Sequence, residues 1–322
     1  MSQATPCEIR AVIRAVLRNA LNLHPSESVL ILADEPMQEM ALAFFREARY
    51  FSRKSFLLVL PEIERAHKEP PHSVTALMME SRVVILLTSR SLSHTTSRRK
   101  AIKNGARIAG LPGVTAETLI RCLNGDQKKI AARSRKLADI LTIGRSAQLT
   151  TPAGTELTLS ISRMRGYADT GIIHEPGQFS NLPAGEGCVG PVHGSAQGRI
   201  VVDGSFPGIG KIETPFEMRV RDGYVSRITG SETAERVRKL IQPYGHQGRN
   251  IAELGIGTNP RAKLMGLTLE DEKTEGTVHV ALGNNVSFDG KVRVPCHFDA
   301  VLLNPTLLID GNPIIRDGVI LV

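Results

Sequence analysis

Between Asn250 and Asp299 the chain gathers side chains that bind divalent metal ions: Glu253, the acidic run Glu270-Asp271-Glu272, His279, and the pair His297-x-Asp299. In a strand, side-chain direction repeats every two residues, so His297 and Asp299 are expected on one face, where an imidazole nitrogen and a carboxylate can share an ion. The β-branched run around TVHVALG predicts a second strand, with His279 on the same side as Thr277 and Ala281. Apolar neighbours imply burial, and a buried imidazole or carboxylate requires a partner that a shared cation can supply. Three carboxylates with two imidazoles suit Zn²⁺, Mn²⁺, Co²⁺ or Fe²⁺ better than Ca²⁺, which prefers oxygen alone. Taken singly, His279 reads as a satisfied core histidine, and Glu270 to Glu272 as a solvated turn or helix start. Their joint occurrence within residues 250–299 carries the case for a metal site of Glu253, Glu272, His279, His297 and Asp299.

Other chemistry-bearing residues are more dispersed. Asn181, Pro183 and Gly185 of NLPAGEG predict a turn, from which Glu186 either faces a cleft or lies in solvent. Cys7, Cys122, Cys188 and Cys296 are widely spaced without a CxxC pair, which excludes a disulfide framework and a thiolate zinc site. The first three read as buried small hydrophobes, whereas Cys296 directly precedes His297. Among the remaining histidines, His94 follows a strand and precedes a Ser/Thr-rich helix start, a place suited to lining a cleft.

Two kinds of sequence must position these groups. Up to about residue 140, apolar runs of strand length (28–34, 54–60, 82–88, 107–111) alternate with helical periodicity at 7–22, 36–49, 95–104 and 115–139. Continuous apolar strands separated by helices predict a doubly wound parallel sheet covered on both faces. No GxGxxG or GxxxxGK[ST] follows these strands, so neither nucleotide fingerprint is present. Beyond residue 140, alternation and Gly/Pro punctuation take over. TPAGTELTLSIS predicts a hairpin, Asp-Gly turns are expected in GRIVVDGSF, FEMRVRDGYVSRITG and LLIDGNPIIRDGVILV, and a helix fits 231–242. The expected division is a Rossmann-like α/β domain over 1–142 and an α+β metal-binding catalytic domain, rich in antiparallel strands, over 143–322.

Composition narrows the function classes. Hydrophobic residues at 41% and charged residues at 22% describe a folded globular chain, and no apolar run reaches the roughly 20 residues that span a bilayer. The N-terminus lacks the apolar core of a signal peptide, so the expected compartment is the cytoplasm. The net charge of +8 comes from scattered basic residues, and aromatics at 4% with no Trp leave few stacking platforms, which argues against nucleic acid.

The phrases AELGIGTNP, LEDEK, GTVHVALG and HxD, with NLPAGEG, Pro191 and the closing DGNPIIRDGVIL, resemble the aminopeptidase T family of metallopeptidases, also known as leucyl aminopeptidases, in its shorter branch. The resemblance implies a two-metal centre held by Glu253, Glu272, His279, His297 and Asp299, a homodimer, and a site enclosed so that only short peptides enter. It makes a hydrolase of peptide or amide bonds the leading expectation: two Zn²⁺, Mn²⁺ or Co²⁺ ions activate a water, and Glu186 or Glu270 serves as general base. One departure is that the family carries a Tyr shortly after HxALG, whereas residues 280–290 hold none. The chain is also similar to the dihydroxypyridine ring-cleaving dioxygenases, which keep HxD within a phrase like Pro295-Cys296-His297-Phe298-Asp299. Those enzymes place a His where this chain has Glu253, giving a two-His-one-carboxylate Fe(II) site, so Glu253 with His279 favours the two-metal reading. The alternatives to a hydrolase are therefore an Fe(II) dioxygenase acting on dihydroxypyridine-like aromatics and a non-catalytic binder of anions or nucleic acid.

Overall fold

The computed structural model describes residues 4–123 and 125–322. They form two compact units: the chain up to Gln127 with Gly171–Ala184, and Lys128–Thr170 with Gly185–Val322. The units are more interleaved than a single cut after residue 142. The helical stretch expected at 115–139 is two helices, Ala116–Leu123 and Gln127–Ile143, and nearly all of the second belongs to the later unit.

In the first unit a five-stranded sheet has the order Ser55–Leu60, Val29–Asp34, Val83–Leu87, Arg107–Gly110, Phe179–Asn181, all parallel. The apolar runs VLILAD and VVILL are buried throughout, as strands covered on both faces must be. Arg107–Gly110, expected as the last strand, is not an edge. Phe179–Asn181 returns from the later part of the chain to pair with it, giving a doubly wound order. Short polar-bounded strands of this kind carry no apolar run for periodicity to detect. His94, a suspected cleft residue, packs edge-on against His67 with ring centroids 4.9 Å apart.

The helix Thr96–Lys103 illustrates how this unit satisfies its helix starts. Thr95 accepts from the Arg98 amide at 3.2 Å, and Glu69 accepts from the Thr96 amide, the Ser97 amide (3.1 Å) and the Ser97 hydroxyl (2.8 Å).

In the second unit an eight-stranded antiparallel sheet runs from Tyr224–Thr229 to Val319–Ile320. Three of its turns are the expected Asp-Gly pairs: Asp222-Gly223, Asp310-Gly311 and Asp317-Gly318 all have positive φ at both residues, which matches the twist of a two-residue hairpin. Asp203-Gly204 differs. It carries the chain from Gln197–Val202 in this sheet to Ser205–Phe206 in another. The expected helix at 231–242 spans Glu232–Ile241.

The other sheet of this unit has seven strands, in the order Gly210–Lys211, Ser205–Phe206, His297–Leu302, Val278–Gly283, Ile251–Gly257, Glu186–Val189, Gly166–Asp169. All its neighbours are antiparallel. One face supplies Val189, Leu254, Ile256, Val278, Val280, Leu282, Ala300 and Leu302 to the core, with Leu137 and Leu141 of the long helix packed among them. By strict alternation the opposite face receives Glu186, Glu253, His279, His297 and Asp299. Among the described residues no helix is long and apolar enough to cross a membrane.

Small residues make that second face habitable. Gly255 lies directly across from His279, and a Cβ there would stand 2.0 Å from the imidazole Nε2. At Gly257 a Cβ would meet the Thr274 carbonyl at 2.1 Å, so its absence lets the 273–274 segment close over the sheet.

Two outcomes test these local arguments. Gly255→Ala forces His279 out of its position and destabilises the unit by about 1–3 kcal/mol through overpacking, read as a lower midpoint of thermal unfolding. For Glu69, burial raises the carboxyl pKa, but the hydrogen bonds from Thr96 and Ser97 outweigh it and the net shift is downward. A depressed folded pKa gives stabilisation that is complete above the unfolded value and lost as pH falls through the folded one. Glu69→Ala thus lowers the thermal midpoint at pH 7, and the midpoint converges on that of the native chain as the medium is acidified through the carboxylate range.

Candidate metal centre

Register brings the candidate ligands together. Glu253, Ala281 and Asp299 lie in one row across three strands, and Cys188, Gly255, His279 and Val301 lie in the next. His297 pairs with Gly283 one step further along the same face. Apart from Val301, the side chains of these rows larger than Ala are functional groups, and the gaps between them are Gly or Ala.

Two donor sets result, each with its donor atoms within 4.8 Å of one another: Glu253, His297 and Asp299, and Glu186, Glu253 and His279. In the first, His297 Nε2 is 2.9 Å from Glu253 Oε2 and 3.1 Å from Asp299 Oδ1. Donors about 2.1 Å from an octahedral ion stand about 3.0 Å apart, so these separations already match ligation of one cation. On the other side of the ring, Nδ1 is 2.9 Å from the Asn284 carbonyl oxygen. A carbonyl can only accept, so Nδ1 carries the proton and Nε2 is the nitrogen that would face an ion. In the second set His279 Nε2 is 3.5 Å from Glu186 Oε2 and 3.7 Å from Glu253 Oε1, while its buried Nδ1 has no hydrogen-bond partner. Glu253 therefore turns one oxygen to each histidine.

The remaining expected residues are placed differently. Glu272 is in neither set; its Oε1 lies 3.0 Å from Lys273 Nζ. Glu270, offered as a general base, accepts from the Lys263 amide at 2.9 Å and belongs to neither set. Glu186, expected beside a turn, begins a buried strand that lies between Ile251–Gly257 and the edge strand Gly166–Asp169. Cys296 packs with Val292 and Val294, whereas Cys188, read as inert core, hydrogen-bonds Glu253. Asp169 and Lys273 had no distinguishing pattern of their own, yet the Lys273 ammonium is 3.0 Å from Asp169 and 2.7 Å from Glu186. Tyr167, on the same strand as Asp169, donates to Asp289 at 2.6 Å. It places a tyrosine beside the segment that follows HVALG, where the sequence itself has none.

Burial shapes the charges of the cluster. It pushes Glu253 up, but the nearby His279 and the hydrogen bond from His297 hold this carboxyl at about 2. Asp299 is likewise raised by burial and carried below the usual carboxylate range by His297. Burial lowers both imidazoles; Asp299 and Glu253 nevertheless bring His297 well above its ordinary value, and Glu253 with Glu186 brings His279 to about 9. Glu272 is lifted by burial to about 8, with Lys273 opposing and Asp299 adding to the rise. The carboxylates that hold protons on the two imidazoles are the same groups that would donate to an ion, so binding an ion requires those protons to leave. Mixed imidazole and carboxylate donors fit a divalent transition metal.

Comparison with known proteins adds the family context of this face. Residues 8–322 match the family described as NicX, 2,5-dihydroxypyridine 5,6-dioxygenase. A 2,5-dihydroxypyridine 5,6-dioxygenase of Pseudomonas putida KT2440 is 24% identical over 254 residues, covering 73% of this chain and 70% of that protein. The solved structure of 2,5-dihydroxypyridine dioxygenase from Pseudomonas putida KT2440 superposes with a TM-score of 0.87 at 19% identity, over 99% of this chain and 98% of that one. Wild-type AmpT from Thermus thermophilus shares the fold with a TM-score of 0.70 at 14% identity, over 99% and 100% of the two chains. The aminopeptidase resemblance thus reflects a shared fold. The expectation of a metallopeptidase-like hydrolase is overturned by the family match along residues 8–322. The chain belongs to the 2,5-dihydroxypyridine 5,6-dioxygenase family.

Proposed function

We propose that the protein is a ring-cleaving dioxygenase of a dihydroxylated pyridine, with one ferrous ion held by Glu253, His297 and Asp299. The observation that carries this reading is the family match along residues 8–322. The donor spacing around His297 Nε2 supports it independently. Bound there, a ferrous ion supplies the redox chemistry by which dioxygen reacts with a closed-shell aromatic ring.

The chain's own residues bind, orient and handle protons. The Asn284 carbonyl fixes the His297 ring, and the sheet register fixes Glu253 and Asp299 beside it. Phe288, with its ring centroid 5.9 Å from that of His297, and Tyr167, 5.9 Å from Phe288, put aromatic surface next to the donor set for a flat substrate. His279 lies outside that set, with Nε2 facing Glu186 and Glu253. The two carboxylates bring this imidazole to about 9 and so keep it protonated near neutral pH, where it can donate to an oxygen of the bound substrate.

The test is oxygen uptake by metal-free protein reconstituted anaerobically with ferrous iron and then given 2,5-dihydroxypyridine. Mole-for-mole consumption of oxygen with loss of the ring's ultraviolet absorption is the expected result; a ferrous-loaded protein that consumes none refutes the proposal. His297→Ala lowers the rate by more than the roughly 10–100-fold that loss of an outer partner costs, together with the bound iron. His279→Gln keeps the iron and lowers kcat by about 100-fold or more.

A further inference from the structure

The face that carries Glu253, His297 and Asp299 offers a second donor set of the same chemistry: Glu186, Glu253 and His279. Two sets sharing a carboxylate are what a pair of ions needs, and nothing in donor type separates them. A difference lies in what already sits beside the second set. Lys273 is buried, its side chain 2% exposed, and its Nζ is 2.7 Å from Glu186 Oε2, 3.0 Å from Asp169 Oδ2 and 3.0 Å from Glu272 Oε1. An ammonium has three protons to donate, and here it has three carboxylates to receive them.

The decisive atom is Glu186 Oε2. The same oxygen that faces His279 Nε2 at 3.5 Å accepts from Lys273. An ion taken up by Glu186, Glu253 and His279 would draw on an oxygen already committed to a fixed positive charge, and would stand against that charge in a buried setting where water screens little. Backbone geometry keeps Lys273 in place. The Asn259 amide donates to the Lys273 carbonyl at 2.9 Å, and Gly257 leaves space for the adjoining Thr274 carbonyl.

We propose that the Lys273 ammonium stands in for a second metal ion, bridging Glu186, Glu272 and Asp169 and limiting the centre to a single ion at Glu253, His297 and Asp299. The inference rests on the metal site of the proposed function and adds the residue that sets its nuclearity. Lys273 acts through Glu186 and is a positioning residue.

Metal counting tests it without reference to turnover. Metal-free protein is titrated with Mn²⁺ alone, freed of unbound ion, and examined by elemental analysis and electron paramagnetic resonance. The native chain and Lys273→Arg are expected to hold one Mn²⁺ per chain with an uncoupled six-line spectrum. Lys273→Met is expected to take up two, with the six-line signal replaced by that of a coupled pair. Glu186→Gln, which leaves the first donor set complete, is expected to stay at one, and it gives a reading even if Lys273→Met fails to fold. Two ions in the native chain, falling to one in Glu186→Gln, or a folded Lys273→Met that still binds one, would overturn the role of Lys273. No bound ion in the native chain would overturn the metal site beneath it.

Discussion

Asp169, Glu186, Glu253, Glu272 and Asp299 point into one buried space, and carboxylates brought this close cannot all remain ionised unless cations stand among them. Lys273, His279 and His297 are the cationic groups that the chain itself brings to them. The arrangement is costly to bury, and a fold retains such a cluster where chemistry requires it. The oppositely directed shifts of Glu253 and Glu272, one held at about 2 and the other lifted to about 8, follow from which partner each has gained: two imidazoles in the first case, one ammonium shared with competing carboxylates in the second.

The seven-stranded sheet makes that concentration of charge tolerable. Its two faces divide the labour residue by residue: Leu254, Val280 and Ala300 on the core side alternate with Glu253, His279 or Ala281, and Asp299 on the other. A slip of one residue would exchange the two sets entirely, so the apolar core fixes the register of the site. Gly255 and Gly257 extend the same logic, since strand positions without a side chain admit the His279 ring and the segment that bears Lys273.

This division explains what could be read from the sequence. HxD and HxALG declare themselves through period-two alternation, and Glu253 does so through its company of ligand-type residues between Asn250 and Asp299. The Asp-Gly hairpins and the buried parallel strands were equally legible, because each depends on local backbone preference or on an unbroken apolar run. Glu270 and Glu272 were not separable from sequence: neighbours in a short helical turn face different ways, and only the tertiary path sends one to Lys263 and the other to Lys273. Asp169 and Phe179–Asn181 were hidden for the opposite reason. Each makes its case through a partner strand far away in the chain, Glu186–Val189 for the one and Arg107–Gly110 for the other.

The reaction is the property least determined by any of these elements. AmpT and a dihydroxypyridine dioxygenase both superpose on this chain along nearly its whole length, so the fold alone does not choose a reaction. What remains to choose is the number and kind of cations the face accepts. Glu253, with one oxygen toward each histidine, is compatible with either one ion or two, and so are His279 and His297. Lys273 holds Glu186 through the oxygen that an ion in the second donor set would need. On the proposal made above, a single side chain placed over Gly257 separates a one-ion centre from a two-ion centre on the same scaffold. An oxygen-activating ion and a water-activating pair would then differ by a charge the protein carries itself.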